Sequence, residues 1–543
     1  RVREAQHSGR VTGVPLLGCT EYYYPFSPVR PVEAQPILVV ATWGDPTRWS
    51  AVNYELDSGR IVKANCTLLP LLLKAGRGAR ALVVVPDTLY AAFCRSSGCG
   101  AHEEWEGLEA EVRGRVEQHY RGFLESCEVG GQPCSGESWL ESAASVVVCP
   151  GVGRFELKGR WLVFKGSLQL YTFSVLLHVL GAALEGGGVR EIWLDVSHGV
   201  NYMPSAALTA VLSAARMLRF KPGGVKVRVF NSDPFLLGQQ REGDAVLAIH
   251  EMEMPLGFYQ LPLPDAACSA REGEKLVNAV LDLLSHPQTL LAESFRGSSA
   301  ETLRKLGSRL SEVKHVVESL WYAASYGLPL IVLDYAPRKL EGRGLPSLKE
   351  VVDTLTGALY EALGGVPLQE KEGSIVVDTA SLIDQRRWRL LEVLLEVYAV
   401  AENLLEVSKS YEPEEREGRK GYRLSKVSEL VEKHLACTAP QSRHFFSVEE
   451  SRLLRCLPAA EISGKLKQWH VFKDLVESAA DLRGASEPSS KTRGSKKKRR
   501  SAREQVIIRY KDDFQPGYEE RNFIAHSGLT YSDVEVFCEP AEQ

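Results

Sequence analysis

The stretch "EIWLDVSHGVNYMP", Glu191–Pro204, decides the fold of the first half of this chain. It starts as a short apolar run, becomes polar at Ser197, and passes Gly199 to reach a proline that suits the first turn of a helix. A buried strand followed by a glycine-containing loop and a helix is typical of a parallel α/β sheet. Four other apolar runs bounded by glycine, proline or polar residues repeat the pattern: Pro36–Pro46, Ala81–Thr88, Ser145–Gly151 and Val225–Asp233.

Helical patterns separate these runs, for example "PSAALTAVLSAARML" at Pro204–Leu218. Apolar strands that alternate with helices predict an α/β, Rossmann-like module with a largely parallel sheet. We place this module at residues 36–264. The first 35 residues, punctuated by proline, are expected to be an extended or disordered lead-in.

The periodicity becomes helical after this module. Residues 265–383 read as a mainly helical connector, with one strand-like piece, "LPLIVLDYAP", at Leu328–Pro337. Residues 384–543 read almost entirely as helices, including "KLKQWHVFKDLVESAADL", and predict an all-α C-terminal domain. We find no internal repeat.

Composition sets broad limits. A chain of 543 residues with 44% hydrophobic and 25% charged residues is long enough for two or three domains. No apolar run is long enough to span a membrane, and the first residues lack the apolar core of a signal peptide. We therefore expect a cytoplasmic protein.

The net charge of −4 conceals a basic segment at 481–505. This segment contains "KTRGSKKKRRSAR" and is poor in apolar residues, so we expect a disordered insertion. Two interpretations stay open: a solvated surface loop, or a sequence-independent contact with a nucleic-acid backbone.

Eleven cysteines do not make a complete set of pairs. Cys94, Cys99, Cys127 and Cys134 could be metal ligands, but their spacings differ from the tight pairs of structural zinc sites. Free thiols or occasional disulfides are the preferred interpretation, and we expect no metal.

Two loops follow predicted strands at the edge where α/β sheets bind ligands. They are "TWGDPTRW", Thr42–Trp49, and "DVSHGVNYMP", Asp195–Pro204. Neither contains the glycine pattern of dinucleotide folds or a P-loop, which argues against NAD binding and ATP hydrolysis. A capped strand-to-helix turn without function is the structural alternative. The candidate ligand-binding residues are Trp43, Gly44, Asp45, Ser197, His198, Gly199, Asn201 and Tyr202.

These loops resemble the signature loops of the CARF domain in CRISPR-associated CARF–HEPN ribonucleases of type III systems. The family pattern, Asp-x-[Ser/Thr]-His-Gly-[Ile/Val]-Asn-[Tyr/Phe]-Met-Pro, is met throughout Asp195–Pro204. The resemblance implies a dimeric receptor for cyclic oligoadenylate, with cyclic tetra-adenylate as the expected ring. A two-fold dimer presents both loops twice and can match a symmetric ring. We expect Asp45 to bind ribose or base edges, or to order its own loop.

The C-terminal HEPN domain of that family is marked by arginine, a polar residue, a short gap and histidine. Arg521, Asn522 and His526 fit this pattern and follow the receptor module. Looser spacing also admits Arg95/His102, Arg113/His119 and Arg309/His315, which read as ordinary surface pairs.

The resemblance implies metal-independent cleavage of single-stranded RNA. His526 would act as general base or acid, Arg521 would stabilise the charged phosphate, and Asn522 would hold the phosphate or orient His526. The products would carry 2′,3′-cyclic phosphate and 5′-OH ends. On a helix, Arg521 and His526 would lie about 140° apart, so we expect a cleft shared by two copies, in a homodimer or an assembly of dimers.

Two alternatives are kept. One is a ligand-responsive nucleic-acid-binding regulator that does not cleave, with the basic segment as its contact. The other is a receptor that degrades its own cyclic ligand through Ser197 and His198.

Overall fold

The computed structural model describes residues 37–253 with gaps at 57–58, 158, 219–223 and 235–245, and residues 300–436 with a gap at 383–384. It also describes parts of 443–477, and residues 502–516, 529 and 533–540. The predicted lead-in, residues 265–299 of the connector, and the basic segment up to residue 501 lie outside the described residues.

A ten-stranded sheet forms the N-terminal module. Its order is β6-β5-β3-β2-β12-β11-β10-β1-β4-β7. The bounds are β1 Ile37–Thr42, β2 Val52–Glu55, β3 Ile61–Ala64, β4 Arg80–Pro86, β5 Glu128–Val129, β6 Gln132–Pro133, β7 Ala144–Cys149, β10 Glu191–Asp195, β11 Lys226–Ser232 and β12 Val246–Glu253. All five predicted strand regions form strands.

The middle of this sheet is parallel. Strands β11, β10, β1, β4 and β7 run in one direction, whereas β11 and β12 pair antiparallel. Strand β1 is buried from its second residue onward, which explains its continuous apolar sequence. The prediction of a largely parallel sheet is confirmed for this central part, and antiparallel strands extend one side.

Six helices belong to this half of the chain. Helices α1, α5 and α6 contact β1, and α5 and α6 pack against each other. The bounds are α1 Leu68–Ala75, α2 Leu89–Ser97, α3 Trp105–Ser126, α4 Trp139–Ala143, α5 Leu168–Leu184 and α6 Met203–Met217. Met203 and Pro204 open α6, as the proline predicts.

A four-stranded sheet connects the N-terminal module to the connector. Strands β8 (Gly153–Leu157) and β9 (Arg160–Lys165) form a hairpin. Strand β9 then pairs in parallel with β14 (Ser374–Asp378), which pairs with β13 (Leu368–Lys371). The sequence predicted neither the β8–β9 pair nor the β13–β14 pair.

The described part of the connector is mainly helical, as expected, with α7 at Ala300–Tyr326 and α9 at Leu348–Gly364. The strand expected at Leu328–Pro337 is wrong, because the chain there forms a wide helical turn, Ile331–Tyr335, and α8, Ala336–Lys339. Every residue of Ile331–Tyr335 is buried. A helical segment buried on all sides carries the same continuous apolar signal as a buried strand.

The C-terminal region starts with the expected helices α10, Gln385–Ser408, and α11, Leu424–Leu430, which a wide turn extends to Leu435. The prediction of an all-α domain is wrong for the described residues, which include an antiparallel five-stranded sheet of order β15-β16-β18-β19-β17. The strands are β15 Glu414–Arg416, β16 Arg419–Arg423, β17 Trp469–Val471, β18 Val506–Tyr510 and β19 Val534–Cys538. Most are too short to show a periodicity of their own.

The four cysteines considered as metal ligands form two disulfides, Cys94–Cys99 and Cys127–Cys134. Within the described part of the chain, no helix combines the length and apolar content that a membrane crossing requires. In the same part, no cluster of three or more histidine, cysteine, aspartate or glutamate side chains could hold a metal ion.

Candidate functional site: two joined loops at the sheet edge

Strands β1 and β10 are direct neighbours, with Ala41 opposite Asp195. Their following loops therefore leave the same edge of the sheet. After β1 the chain first forms β2 and β3 beyond β12 and then returns to β4. Because β4 lies on one side of β1 and β10 on the other, this edge is a topological switch point. Such a crevice is where α/β sheets bind ligands, as the sequence predicted.

The two loops touch at Gly44. Its amide donates a hydrogen bond of 2.8 Å to the carbonyl of His198. A methyl group at Gly44 would lie 2.9 Å from the Val200 side chain. At Gly199, a methyl group would lie 2.3 Å from the Thr42 hydroxyl and 2.8 Å from the Pro204 ring. Both glycines therefore permit a close approach of backbones that a larger side chain would prevent.

Asp195 holds the second loop in place. One carboxylate oxygen accepts the Ser197 amide at 3.0 Å, and the other accepts the Thr67 hydroxyl at 2.5 Å. The Asp195 carbonyl accepts the Thr42 hydroxyl at 3.3 Å. The carboxylate is buried, so its role is to organise the loop from below.

His198 is fixed from two sides. Its Nε2 accepts the Thr67 amide at 3.2 Å, and its ring lies 4.3 Å from the indole of Trp49. Burial lowers the pKa of His198, and the nearby Asp195 carboxylate only partly opposes this. An Nε2 that accepts an N–H bond carries no proton, so the imidazole is neutral and holds its hydrogen on Nδ1.

The remaining residues of the second loop have different roles. Ser197 is half-buried, and its hydroxyl accepts the Ser232 amide at 3.0 Å from the end of β11. Asn201 is exposed and adopts a left-handed conformation with φ of 53°, which asparagine tolerates better than most residues. Val200 beside it is 49% exposed. The outer surface of this loop thus consists of Val200, Asn201 and the half-buried faces of Ser197 and His198.

Asp45 orders its own loop, which was one of the two roles expected for it. Its side chain accepts the Thr47 amide at 3.1 Å and the Thr47 hydroxyl at 2.6 Å, capping the short turn Pro46–Arg48. Its other oxygen lies 3.8 Å from the Arg48 guanidinium, whose side chain is 79% exposed. The first loop therefore carries an exposed cation.

Trp43 does not form part of the surface. Its indole is 0% exposed and packs against Trp49, Tyr120 and Phe123. The expectation that Trp43 binds ligand is wrong for its side chain, because the first residue after β1 still points into the core. Trp49, six residues later, is the indole that reaches His198.

Tyr202 was expected to bind ligand, but its side chain is directed towards Val152 and Tyr171. Its hydroxyl accepts the Val152 amide at 3.0 Å, and its ring meets the Tyr171 ring edge-on at 5.3 Å. Burial raises the pKa of Tyr202. This side chain joins the loop to the start of the β8–β9 hairpin.

Sequence reasoning missed Thr67, which binds both Asp195 and His198. A threonine just before the apolar helix "LLPLLLKA" suggests a helix start, but nothing local shows that its hydroxyl and amide face a loop about 130 residues away. The expected catalytic residues Arg521, Asn522 and His526 lie outside the described residues.

Comparison with known proteins agrees with the geometry. Residues 38–234 match the family model described as the CARF domain of the CRISPR system endoribonuclease Csx1. A protein named CRISPR system endoribonuclease Csx1, from Methanocaldococcus jannaschii, is 27% identical over 218 residues. This alignment covers 40% of the present chain and 40% of the relative, so the chain spans less than half of the length of the protein it matches. Residues 38–234 are thus similar to the CARF domain of a CRISPR-associated ribonuclease, which confirms the resemblance predicted from the sequence.

Proposed function

We propose that this protein is an endoribonuclease of type III CRISPR antiviral defence that cyclic oligoadenylate activates. One observation carries the proposal: the two loops that match the CARF signature are joined at the sheet edge by the Gly44–His198 hydrogen bond. A relative that is 27% identical over 218 residues is named an endoribonuclease. Cyclic tetra-adenylate is the proposed ring.

The crevice suits an anionic ligand that carries bases. Arg48 supplies a cation, Asn201 supplies amide donor and acceptor groups, and Val200 supplies apolar surface. Gly44 and Gly199 let the two loops pack against each other, so that both contribute to one surface. We propose that a homodimer presents this surface twice around the two-fold axis of the ring.

RNA cleavage is assigned to Arg521, Asn522 and His526 from their sequence pattern. In this proposal His526 transfers a proton to or from the reacting ribose, and the 2′-oxygen forms a bond to phosphorus while the 5′-oxygen leaves. Arg521 stabilises the negative charge of the transition state, and Asn522 holds the phosphate or orients His526. This route requires a 2′-OH and no metal, so RNA is cut and DNA is not.

Geometry weakens the alternative in which the receptor degrades its own ligand. A route in which His198 activates Ser197 as the nucleophile needs the serine hydroxyl within reach of the histidine. In the structure the Ser197 hydroxyl meets the Ser232 amide, whereas Nε2 of His198 meets the Thr67 amide. Both side chains accept backbone hydrogen bonds that hold the loop in place.

The test is cleavage of labelled single-stranded RNA with and without cyclic tetra-adenylate, in buffer containing EDTA. We expect ligand-dependent cleavage that EDTA leaves intact, and products with 2′,3′-cyclic phosphate ends. The His526→Ala variant should bind ligand without cutting RNA. His315→Ala is the matched control, because His315 is highly exposed and lies 3.6 Å from Glu318, in one of the loosely spaced Arg/His pairs.

Three results would count against the proposal. Equal cleavage without ligand would remove the activation, loss of cleavage in EDTA would remove the metal-independent route, and normal cleavage by His526→Ala would place the active site elsewhere. RNA binding without any cleavage would favour the non-cleaving regulator.

A further inference from the structure

The β8–β9 hairpin belongs to two parts of the protein at once. By sequence it lies within residues 38–234, the segment that matches the CARF domain. By hydrogen bonding it lies in one sheet with β13 and β14 of the connector, since Trp161–Lys165 pair residue by residue with Ser374–Asp378. Any displacement of the hairpin is therefore shared with the connector.

In the described part of the chain, a hydrogen bond of the Tyr202 side chain joins the ligand loop to the start of this hairpin. The Tyr202 hydroxyl accepts the Val152 amide at 3.0 Å, one residue before β8 begins. The neighbouring Gly151 donates its amide to the buried Asp87 carboxylate at 2.7 Å. A methyl group at Gly151 would lie 3.0 Å from the Tyr202 hydroxyl, so the two segments fit closely.

The far end of the sheet leads to the C-terminal region. Asp378, the last residue of β14, pairs with Lys165, and the Thr379 hydroxyl donates to the Lys165 carbonyl at 3.4 Å. Helix α10 starts a few residues later, at Gln385. The Tyr202 hydroxyl is thus linked through backbone hydrogen bonds to the segment that enters α10.

Helix α10 also contacts α6, the helix that follows Tyr202. The Ser213 hydroxyl donates to Glu392 at 3.1 Å, and Arg216 forms an ion pair of 3.0 Å with the buried Glu396. Two connections therefore run from the ligand loop to α10, one through α6 and one through the hairpin. The hairpin connection depends on one hydroxyl group.

We propose that Tyr202 is a positioning residue whose hydroxyl transmits the state of the ligand loop to the C-terminal half through the β8–β9 hairpin. This inference rests on the proposed function. It changes the part assigned to Tyr202, because the hydroxyl is directed at Val152 rather than at the crevice. Ligand binding moves the loop, the Tyr202–Val152 bond moves the hairpin, and the shared sheet carries the change to α10.

The test compares Tyr202→Phe with Tyr171→Phe. Each change removes one hydroxyl from the same edge-on pair of rings, but the Tyr171 hydroxyl has no hydrogen-bond partner among the described residues. For Tyr202→Phe we expect a dissociation constant for cyclic tetra-adenylate within about threefold of the parent. We expect the ratio of RNA cleavage at saturating ligand to cleavage without ligand to fall about fivefold, as loss of one hydrogen bond implies. Tyr171→Phe should resemble the parent in both measurements.

Hydrogen exchange supplies a readout that does not depend on cleavage. In the parent, cyclic tetra-adenylate should change the exchange of peptides covering Val152–Leu157, and Tyr202→Phe should lose this change while still binding ligand.

Three outcomes overturn the inference: full activation of Tyr202→Phe, equal losses in both variants, or weakened ligand binding with normal activation at saturation. They indicate, respectively, no coupling role, a packing effect and a direct ligand contact. Failure of the parent to bind ligand or to cut RNA would instead reject the proposed function.

Discussion

The amide of Gly44 donates a 2.8 Å hydrogen bond to the carbonyl of His198, across more than 150 residues of chain. This contact turns the loops after β1 and β10 into one surface. Further hydrogen bonds fix each loop: Thr67 binds Asp195 and His198 of the second loop, and Asp45 caps the turn of the first. Ligand binding and local stability should therefore respond together to changes at this contact.

Gly199→Ala should separate the two loops. The added methyl group would lie 2.3 Å from the Thr42 hydroxyl, and overpacking of this kind costs about 1–3 kcal/mol. We expect a lower unfolding midpoint and cyclic tetra-adenylate binding weakened at least tenfold, measured by thermal unfolding and by titration. Gly114→Ala is the control, because a methyl group there meets nothing within 4 Å and alanine favours the helix. Equal behaviour of the two variants would contradict the prediction.

The neutral state of His198 should make stability depend on pH. Burial places the pKa of folded His198 below its ordinary value of 6.5, so the unfolded chain takes up a proton first as pH falls. This contribution to stability is complete above about pH 6.5 and declines below it, as protonation competes with the bond from the Thr67 amide.

A glutamine at position 198 tests this assignment. Its carbonyl oxygen can accept the Thr67 amide, but its side chain does not titrate. Unfolding midpoints measured between pH 5 and 8 should therefore fall less at low pH for His198→Gln than for the parent. Parallel pH profiles would show that other groups control the acid sensitivity.

Asp334 should stabilise the junction between connector and C-terminal sheet. This carboxylate is 4% exposed, and it accepts the Tyr510 amide of β18 at 2.6 Å and the Arg338 guanidinium at 3.0 Å. Burial raises its pKa to about 6, although both partners oppose the shift. Asp334→Ala leaves the buried Tyr510 amide without its partner, whereas Arg338 keeps its contact with Asp512, so we expect a loss of about 2 kcal/mol in denaturant unfolding.

Two further variants should lose less stability than Asp334→Ala. Asp334→Asn keeps an oxygen for the Tyr510 amide and should lose less. Asp353→Ala removes an exposed partner of Lys349 and should change stability by less than about 0.5 kcal/mol. A small effect of Asp334→Ala would mean that the junction rests on its apolar contacts alone.

The Cys127–Cys134 disulfide closes a short loop that carries β5 and β6. A loop of this length stabilises a fold by about 2 kcal/mol through restriction of the unfolded chain. The Cys127→Ser/Cys134→Ser variant should therefore unfold at a lower temperature than the parent under oxidising conditions. Reductant should shift the parent further than the variant, which keeps only Cys94–Cys99. Identical shifts would argue against this bond in the purified protein.

Five of the ten strands of the N-terminal sheet could be predicted because they are largely buried on both faces. Continuous apolar runs ended by glycine or proline mark such strands, and all five predicted runs form strands. Short polar strands such as β15 and β16 carry no comparable pattern, so the C-terminal sheet was missed. The strand predicted over Ile331–Tyr335 was wrong for a different reason. A buried strand and a buried helical turn both have a continuous apolar sequence, so the pattern does not distinguish them.

Some residues of the candidate site could likewise be predicted from the sequence, and others could not. Gly44, His198 and Gly199 could be placed at the ligand-binding edge because each lies in a loop that directly follows a predicted strand, whereas the pairing of those two strands comes from the structure. The burial of Trp43 and the contacts of Thr67 depend on the packing of elements distant in sequence, which a local pattern does not contain. The expected catalytic residues Arg521, Asn522 and His526 remain predictions from the sequence.

The pairing of β9 with β14 limits how this protein can be divided. A fragment ending at Glu253 would keep the whole matched segment but leave Trp161–Lys165 as an open strand edge, with Leu162 and Phe164 deprived of their cover. Open apolar edges recruit other strands, including those of a second fragment. The segment that matches the CARF domain is thus not expected to fold by itself, and a fragment made from it would have to carry the sequence of β13 and β14 as a grafted or added peptide.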